Sequence, residues 1–300
     1  MTESDRALGP HVTLLGSPRG GKYPEGRPLL VAGRAESVVI DPSLALVGRP
    51  GGAPAADRVL NSHCHEDHVA GNHLYPAASW HLPQADLPGI ASIEGLMEIY
   101  GFDGPVRAHW ARVVVEQFHF MPRTDAVSFA GGDVFDLGGV RIRAIHAPGH
   151  TRGHTIFHVE PDDVLYLGDI DLSSFGPYYG DAWSSLEDFE RTLVMVRALD
   201  ARHYATFHHV GVIDGRAAFV ERLDRFAAVI ARREAALLDF LGEPRGLDDI
   251  VAHRFVYRPG DAVAYADVVE RRSMSQHLER LLAAGRVVET APAVFRRLAA

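Results

Sequence analysis

The feature that most constrains this chain is the run H-C-H-E-D-H at residues 63–68. The segment before it, Val59–Ser62, begins with two apolar residues and predicts a short buried strand that leads directly into the run. Alternate side chains of an extended chain point the same way, so His63 and His65 converge on one point. The following turn brings Asp67 and His68 to a neighbouring point. Imidazole and carboxylate ligands suit Zn²⁺, and iron or manganese is also compatible, so the run predicts a metal site.

Other candidate ligands follow other predicted strands. His150 comes after the strand that ends at Ile145, and Asp169 comes after Val164–Leu167. One of two adjacent histidines, His208 or His209, follows the strand Tyr204–Phe207. The alternative, a set of solvated loop histidines, does not explain why polar residues repeatedly follow strand ends. The pattern therefore predicts a site built along one edge of a sheet.

These motifs resemble those of the metallo-β-lactamase superfamily, and the resemblance covers roughly residues 10–225. It rests on Asp41 at the end of the strand Ser37–Ile40, the H-x-H-x-D-H run, the segment P-G-H-T-R-G-H at residues 148–154, and Gly168-Asp169. The resemblance implies an α/β fold of the four-layer αββα type with two metal ions, most simply two Zn²⁺, at one sheet edge. It also implies that Asp41 and His154 hold the ligands in position.

The resemblance assigns a ligand set to each ion. His63, His65 and His150 would hold the first ion, and Asp67, His68 and the last histidine would hold the second, with Asp169 between them. The last ligand departs from the family pattern, which usually has Gly-His-Gly where this chain has Phe207-His208-His209. The ungapped register favours His208 as the ligand, with His209 supporting it, but the alternative assignment to His209 stays open.

The expected reaction is hydrolysis by a hydroxide that bridges the two metals, with Asp67 and Asp169 as the catalytic carboxylates. A partly helical insert at about residues 85–120 is expected to cover the metals. Its expected apolar lining, which would contact substrate, consists of Trp80, Met97, Tyr100, Phe102 and Trp110. Tyr178 or Tyr179 is placed to contact the substrate oxyanion. The alternative is that these aromatic residues only pack the structure together. Cys64 is interpreted as a packing residue and Glu66 as a solvated one.

The C-terminal part, residues 232–300, is predicted to be separate from a metal-binding domain at 1–231. Its order of helices followed by two strands resembles the small winged-helix domain attached to one branch of the superfamily, which includes RNA-cleaving enzymes. Nucleic-acid binding requires clustered positive charge, whereas this part has 11 basic and 10 acidic residues. We therefore expect a packing or dimerisation module, with a homodimer as one outcome.

Composition limits the remaining choices. The formal net charge is −9, which disfavours nucleic acid and anionic membranes as partners. No apolar run reaches the roughly 20 residues of a membrane span, and no secretion signal is seen, so a cytoplasmic protein is expected. The leading hypothesis is a bacterial metal-dependent hydrolase of a small ester, thioester or lactone. The alternatives are a phosphodiesterase or endoribonuclease that binds RNA through its C-terminal domain, and a non-enzymatic winged-helix regulator with a relic metal site.

Overall fold

The computed structural model describes residues 4–261 and 263–298. Two β-sheets of this part of the chain lie face to face, and the strands of the first are arranged in chain order. The first sheet contains β1 (Arg6–Ala7), β2 (Val12–Leu14), β3 (Leu29–Ala32), β4 (Ser37–Ile40), β5 (Arg58–Leu60), β6 (Ser79–Pro83) and β7 (Val127–Phe129). Strands β1 to β4 pair antiparallel, whereas β4 to β7 pair parallel.

The second sheet follows the reverse spatial order, from β13 to β8. It contains β8 (Val134–Asp136), β9 (Arg141–His146), β10 (Thr155–Glu160), β11 (Val164–Tyr166), β12 (His203–Ala205) and β13 (Val212–Asp214). Only β11 and β12 pair parallel within it, and a helix, α5 (Leu186–Ala198), connects them as a crossover.

The described residues form eight α-helices, five of which cover the outer faces of the two sheets. The eight helices are α1 (Glu66–Val69), α2 (Leu87–Ala91), α3 (Ile93–Tyr100), α4 (Gly104–Gln117), α5 (Leu186–Ala198), α6 (Arg216–Phe240), α7 (Leu247–His253) and α8 (Ala266–Ala283). Helices α2 to α4 pack on the first sheet, and α5 and α6 pack on the second. The αββα sandwich expected from the sequence is confirmed.

Alternation along the strands separates the apolar layers. In β4, Val38 and Ile40 are buried between the sheets, whereas Val39 packs towards the helices on the outer face. In β11, Val164 faces the space between the sheets and Leu165 faces α5 and α6. Because successive strand side chains point to opposite faces, one strand supplies two of the three apolar layers.

Two element boundaries differ from those predicted. In the sequence, Asp214 precedes a long helical pattern and is predicted to cap it, but in the structure it ends β13 opposite His203, and the helix begins after Gly215. Ser273 likewise predicts the start of the last helix, but α8 begins at Ala266. In both cases a polar residue that could cap a helix has another role, since Asp214 pairs with His203 and Ser273 is buried within the helix.

The C-terminal part combines α7 and α8 with a third sheet of the described chain, formed by β14 (Arg245–Gly246), β15 (Val287–Ala291) and β16 (Val294–Arg297) in the order β14-β16-β15. Helix α6 crosses the boundary predicted at residue 231 without a break, and its end packs in the C-terminal core through Leu237 and Leu241. The two parts are thus joined by a shared helix.

Helix α8 packs directly against the metal-binding part. Arg272 donates hydrogen bonds to the carbonyl oxygens of Tyr100 and Gly101. The Gln276 side chain accepts a hydrogen bond from the Leu186 amide at 2.6 Å and donates one to the Tyr179 carbonyl at 2.9 Å. No helix in the described residues is long and apolar enough to cross a membrane.

Candidate metal centre

The candidate ligands lie where four strands end at one edge of the sandwich. His63 and His65 follow β5, His150 follows β9, Asp169 follows β11, and His208 follows β12. Two glycines let these loops pack closely. A Cβ on Gly149 would lie 2.4 Å from the Phe189 backbone, and one on Gly168 would lie 2.7 Å from His154 Nε2. Both glycines also have positive φ, so other residues would be strained there.

Three imidazoles and one carboxylate form a first cluster. His150 Nε2 lies 3.2 Å from His63 Nε2 and 3.0 Å from His65 Nδ1. The same nitrogen lies 3.1 Å from Asp169 Oδ2. The ligand atoms of these four residues all lie within 4.8 Å of one another. This is the set predicted for the first ion, together with the predicted bridging carboxylate.

Asp67, His68 and His208 form a second cluster of the same compactness. His208 Nε2 lies 2.8 Å from Asp67 Oδ2, and His68 Nε2 lies 4.0 Å from that oxygen. Asp169 lies between the clusters: its Oδ1 is 2.8 Å from His68 Nε2, while its Oδ2 faces His150. The structure therefore brings together all seven residues predicted as ligands.

The outer nitrogen of each histidine fixes the direction of the inner lone pair. His150 Nδ1 donates to the Tyr178 carbonyl at 3.1 Å, and His208 Nδ1 donates to the Gly21 and Glu25 carbonyls, both at 3.0 Å. His68 Nδ1 contacts the Asp41 carboxylate at 2.9 Å. When these three rings are neutral, their Nε2 atoms are left as electron-pair donors that face the centres of the clusters.

Such converging lone pairs repel one another unless a cation lies between them. A neutral imidazole with its proton held outside is the form that binds a metal, and the partner of the outer nitrogen orients the ring. The donor set of nitrogen and carboxylate oxygen, with no accessible thiolate, fits divalent ions of the zinc, iron or manganese type. The residues present therefore fit a metal at each cluster.

Two residues predicted to support the ligands do contact them. Asp41 is buried and accepts hydrogen bonds from the Ser62 amide and hydroxyl at 2.7 and 2.6 Å and from Tyr166 at 3.1 Å, in addition to His68. His154 Nε2 accepts a hydrogen bond from the Asp169 amide at 3.1 Å. Burial lowers the pKa of His154 to about 3, so the ring is neutral and can accept it.

A cavity of about 290 Å³ opens beside the clusters. Tyr178 lines it, as expected of a substrate contact. Trp80 does not: it is 1% exposed in the core, where its indole nitrogen donates to the Tyr75 carbonyl at 3.0 Å. Tyr179 does not either, because its hydroxyl is buried against His277 Nε2 at 2.9 Å. The predictions for Trp80 and Tyr179 are wrong because both side chains pack within the fold.

The sequence profile described as the metallo-beta-lactamase superfamily matches residues 29–209. The chain belongs to the metallo-beta-lactamase superfamily. A hydroxyacylglutathione hydrolase from Methylococcus capsulatus is 30% identical over 187 residues, which are 59% of this chain and 60% of that protein. An atrochrysone carboxyl ACP thioesterase from Paecilomyces divaricatus is 35% identical over 74 residues, 25% of this chain and 21% of that one.

The chain spans 60% and 50% of the lengths of two curated hydroxyacylglutathione hydrolases that it matches. A solved structure of a metallo-beta-lactamase family protein from Thermus thermophilus superposes with a TM-score of 0.71 at 23% identity, covering 97% of this chain and 100% of the other. At that identity the superposition shows the fold, including the C-terminal part, and not the activity.

The superfamily site also contains residues that the sequence reasoning missed. The Asp181 side chain is fully buried, and its Oδ2 forms an ion pair with His65 Nε2 at 3.1 Å. Burial lowers the pKa of His65, but Asp181 outweighs this effect and raises it to about 9. The signal in the sequence was weak, because Asp181 is one acidic residue in a loop without a motif.

Asp86 and Glu66 were missed for related reasons. Asp86 is buried and accepts hydrogen bonds from the Thr151 hydroxyl at 2.7 Å and the Gly153 amide at 2.9 Å, which holds the His150 loop. Glu66 was interpreted as solvated, but it is 4% exposed. Its carboxylate accepts hydrogen bonds from phenols that lie far away in the sequence, which no local pattern could indicate.

Cys64 and His209 complete the placement of the predicted residues. Cys64 is buried and packs against Gly89, and burial raises the pKa of its thiol well above the usual value, which fits a packing role. His209 was predicted to support the ligands. Its imidazole is 39% exposed, and its Nε2 lies 3.8 Å from Asp171 Oδ2 at the cavity wall. His208, by contrast, lies within the second cluster.

Proposed function

We propose that this protein is a zinc-dependent hydrolase that acts on a thioester. The observation that carries the proposal is the pair of ligand clusters joined by Asp169 and open to a cavity lined with aromatic side chains. The relatives include proteins named hydroxyacylglutathione hydrolase and ACP thioesterase, both of which act on thioesters by name. Esters and lactones share the same electrophilic carbonyl and remain part of the test.

Two zinc ions are the proposed cofactors. His63, His65 and His150 would hold the first ion, and Asp67, His68 and His208 would hold the second, with one Asp169 oxygen directed to each cluster. Bound there, zinc supplies a water of lowered pKa and polarises a carbonyl oxygen. In the overall reaction, a water oxygen bonds to the acyl carbon, the C–S bond breaks, and the sulfur leaves as a thiol with one proton.

The chain's own residues bind and orient the reactants. The Asp67 carboxylate lines the cavity and can accept a hydrogen bond from the attacking water. Tyr100, Phe102 and Trp110 form an apolar wall that excludes other water. Tyr178 already donates its proton to Asp181 Oδ1 at 3.1 Å, so it cannot donate to an oxyanion at the same time.

A phosphodiester or RNA substrate fits these surfaces poorly. Among the described residues that line the cavity there is no lysine or arginine, whereas five are aspartate or glutamate. The four arginines of the α8 region that could contact nucleic acid are already engaged within the protein. They are Arg271, Arg272, Arg280 and Arg286. A regulator with a relic site is disfavoured because a histidine or aspartate is present at each of the seven ligand positions.

A substrate panel tests the proposal. Zinc-loaded protein is assayed with a hydroxyacylglutathione, a neutral N-acetylcysteamine thioester, a p-nitrophenyl ester, a lactone and bis-p-nitrophenyl phosphate. We expect the highest kcat/KM for a thioester and none for the phosphodiester. Turnover of the phosphodiester alone would replace this proposal with the nuclease alternative. The cytoplasmic location and the homodimer stay predictions, which fractionation and sedimentation would check.

A further inference from the structure

The polar surface of the cavity indicates the charge of the substrate group that enters it, and this inference rests on the proposed thioesterase function. Of the described residues that line the cavity, eight are aromatic. They are Tyr23, Tyr100, Phe102, Trp110, Phe175, Tyr178, Tyr257 and Tyr265. The last two come from the C-terminal part, which therefore completes the wall.

Three of the phenols already use their only O–H group as the donor of a hydrogen bond to a carboxylate. Tyr23 donates to Glu66 Oε1 at 2.8 Å, and Tyr100 donates to Glu66 Oε2. Tyr178 donates to Asp181 Oδ1 at 3.1 Å. Burial and these carboxylates raise the pKa of all three phenols, so the protons stay on the oxygens. Each phenol then offers a ligand only its lone pairs, as a hydrogen-bond acceptor.

Apart from its histidines, the charged side chains of the wall are all carboxylates. Asp67 and Asp169 belong to the ligand clusters, but Glu66, Asp171 and Asp181 do not. The five carboxylates outnumber the four positive charges that two zinc ions would bring. An anionic substrate group would therefore meet acceptors and negative charge. An ammonium group would meet opposite charge and the electron-rich faces of aromatic rings.

The cavity leads away from the ligands along a stack of rings. His65 stacks on Tyr100 with ring centres 5.1 Å apart, Tyr100 on Phe102 at 5.2 Å, and Phe102 on Tyr265 at 5.3 Å. A substrate whose carbonyl lies at the ligands can thus place its other end near the C-terminal rings. The volume of about 290 Å³ equals that of roughly ten water molecules, which suits a short acyl chain.

We propose that the acyl group of the substrate carries a cationic ammonium group, bound among the aromatic rings and the carboxylates Glu66, Asp171 and Asp181. The interaction combines the aromatic faces with hydrogen-bond acceptors and negative charge in one enclosed space. Acyl groups that end in a carboxylate are rejected by the same surface.

Three thioesters of N-acetylcysteamine test the proposal because they share one leaving group. Their acyl groups are 4-(trimethylammonio)butanoyl, its uncharged isostere 5,5-dimethylhexanoyl, and glutaryl. We expect kcat/KM for the ammonium substrate to exceed that for the isostere by about tenfold, with glutaryl the poorest. Equal rates for the first two, or a preference for glutaryl, would overturn the inference. If none of the three is hydrolysed, the thioesterase proposal itself fails. The cationic site is then tested by the binding experiment below, which does not depend on turnover.

Two variants and a control locate the preference. Glu66→Gln and Asp171→Asn each remove a charge and keep an amide oxygen as acceptor, so the ammonium-to-isostere ratio should fall severalfold in each. Because the ratio is taken within one variant, a general loss of activity cancels. Glu98→Gln on the exposed side of α3 should keep the wild-type ratio. An unchanged ratio in both cavity variants contradicts the assignment.

A binding measurement is independent of turnover. Choline and its uncharged isostere 3,3-dimethylbutan-1-ol are titrated into the wild-type protein and Glu66→Gln by calorimetry. We expect choline to bind more tightly than the isostere to the wild type, and to lose this advantage in Glu66→Gln. Equal affinities of the wild type for the two probes would refute the cationic site, whatever the activity.

Discussion

Replacing Asp181 with asparagine should change zinc affinity in a way that depends on pH. Asp181 Oδ2 lies 3.1 Å from His65 Nε2, and both side chains are buried. Asparagine has nearly the same shape as aspartate, with an amide NH₂ group in place of one carboxylate oxygen, so the substitution mainly removes the negative charge. Loss of a carboxylate behind a metal-bound histidine typically costs about 10- to 100-fold in metal affinity.

At lower pH, a proton on His65 of the wild type competes with zinc and reduces the advantage of the wild type over the variant. In the metal-free wild type, Asp181 holds the pKa of His65 at about 9, so zinc must displace a proton from His65 below that pH. The competition weakens apparent zinc binding roughly 100-fold at pH 7 but only about twofold at pH 9. In Asp181→Asn, the carboxylate that raises the pKa of His65 most is absent, so burial has more weight and the competition is much weaker. At pH 7, the loss of the supporting carboxylate and the relief from proton competition therefore largely offset each other. At pH 9, the proton competition is small, and the loss of the carboxylate dominates.

The assay is a competition titration of metal-free protein against a chromophoric zinc chelator at both pH values. We expect the wild-type affinity to lie between equal to and about tenfold below that of Asp181→Asn at pH 7, and about 5- to 50-fold above it at pH 9. Asp239→Asn, which alters an exposed ion pair with Arg297, serves as the control and should match the wild type. The same affinity difference at both pH values would refute the role assigned to Asp181.

Three further predictions address the ligands and their supports. His208→Ala should bind one zinc ion fewer per chain, whereas His209→Ala should bind as many as the wild type; elemental analysis that shows the reverse would assign the ligand to His209. Zinc binding at pH 7 should release about three protons, since neighbouring carboxylates that outweigh burial raise the pKa values of His65 and His208 to about 9 and that of His68 well above its usual value; calorimetry in buffers of different ionisation enthalpy measures this number, and zero release contradicts it. Asp86→Ala leaves the buried Thr151 hydroxyl and Gly153 amide without their acceptor and should lower the free energy of unfolding by about 2 to 4 kcal/mol, as measured by urea denaturation; a loss below about 0.5 kcal/mol would show that the loop does not depend on it.

The ligand set could be predicted from the sequence because its signals are local. His63, His65, Asp67 and His68 lie within six residues, and strand alternation already places the first two side by side. The αββα layers likewise follow from apolar alternation within single strands. The register of the last strand end was sufficient to favour His208, which the structure places in the second cluster.

The cavity could be predicted only in part, because Tyr100, Phe102 and Trp110 come from the predicted insert but the rest of the wall is assembled from distant segments. Glu66 is surrounded by Tyr23 and Tyr100, and Tyr265 comes from the far end of the chain. Trp80 was assigned to the cavity because β6 was not recognised as an inner strand of the first sheet. Which aromatic side chains pack in the core and which line a cavity depends on tertiary contacts that no local pattern contains.

The most direct test of the account is the zinc dependence of thioester hydrolysis. Metal-free protein is titrated with zinc while the zinc bound per chain and the rate of thiol release are followed together. A binuclear zinc hydrolase should show no turnover without metal and a maximal rate at two bound zinc ions per chain. Full turnover by the metal-free protein, or a maximal rate with one ion bound and the second cluster empty, would contradict the binuclear site.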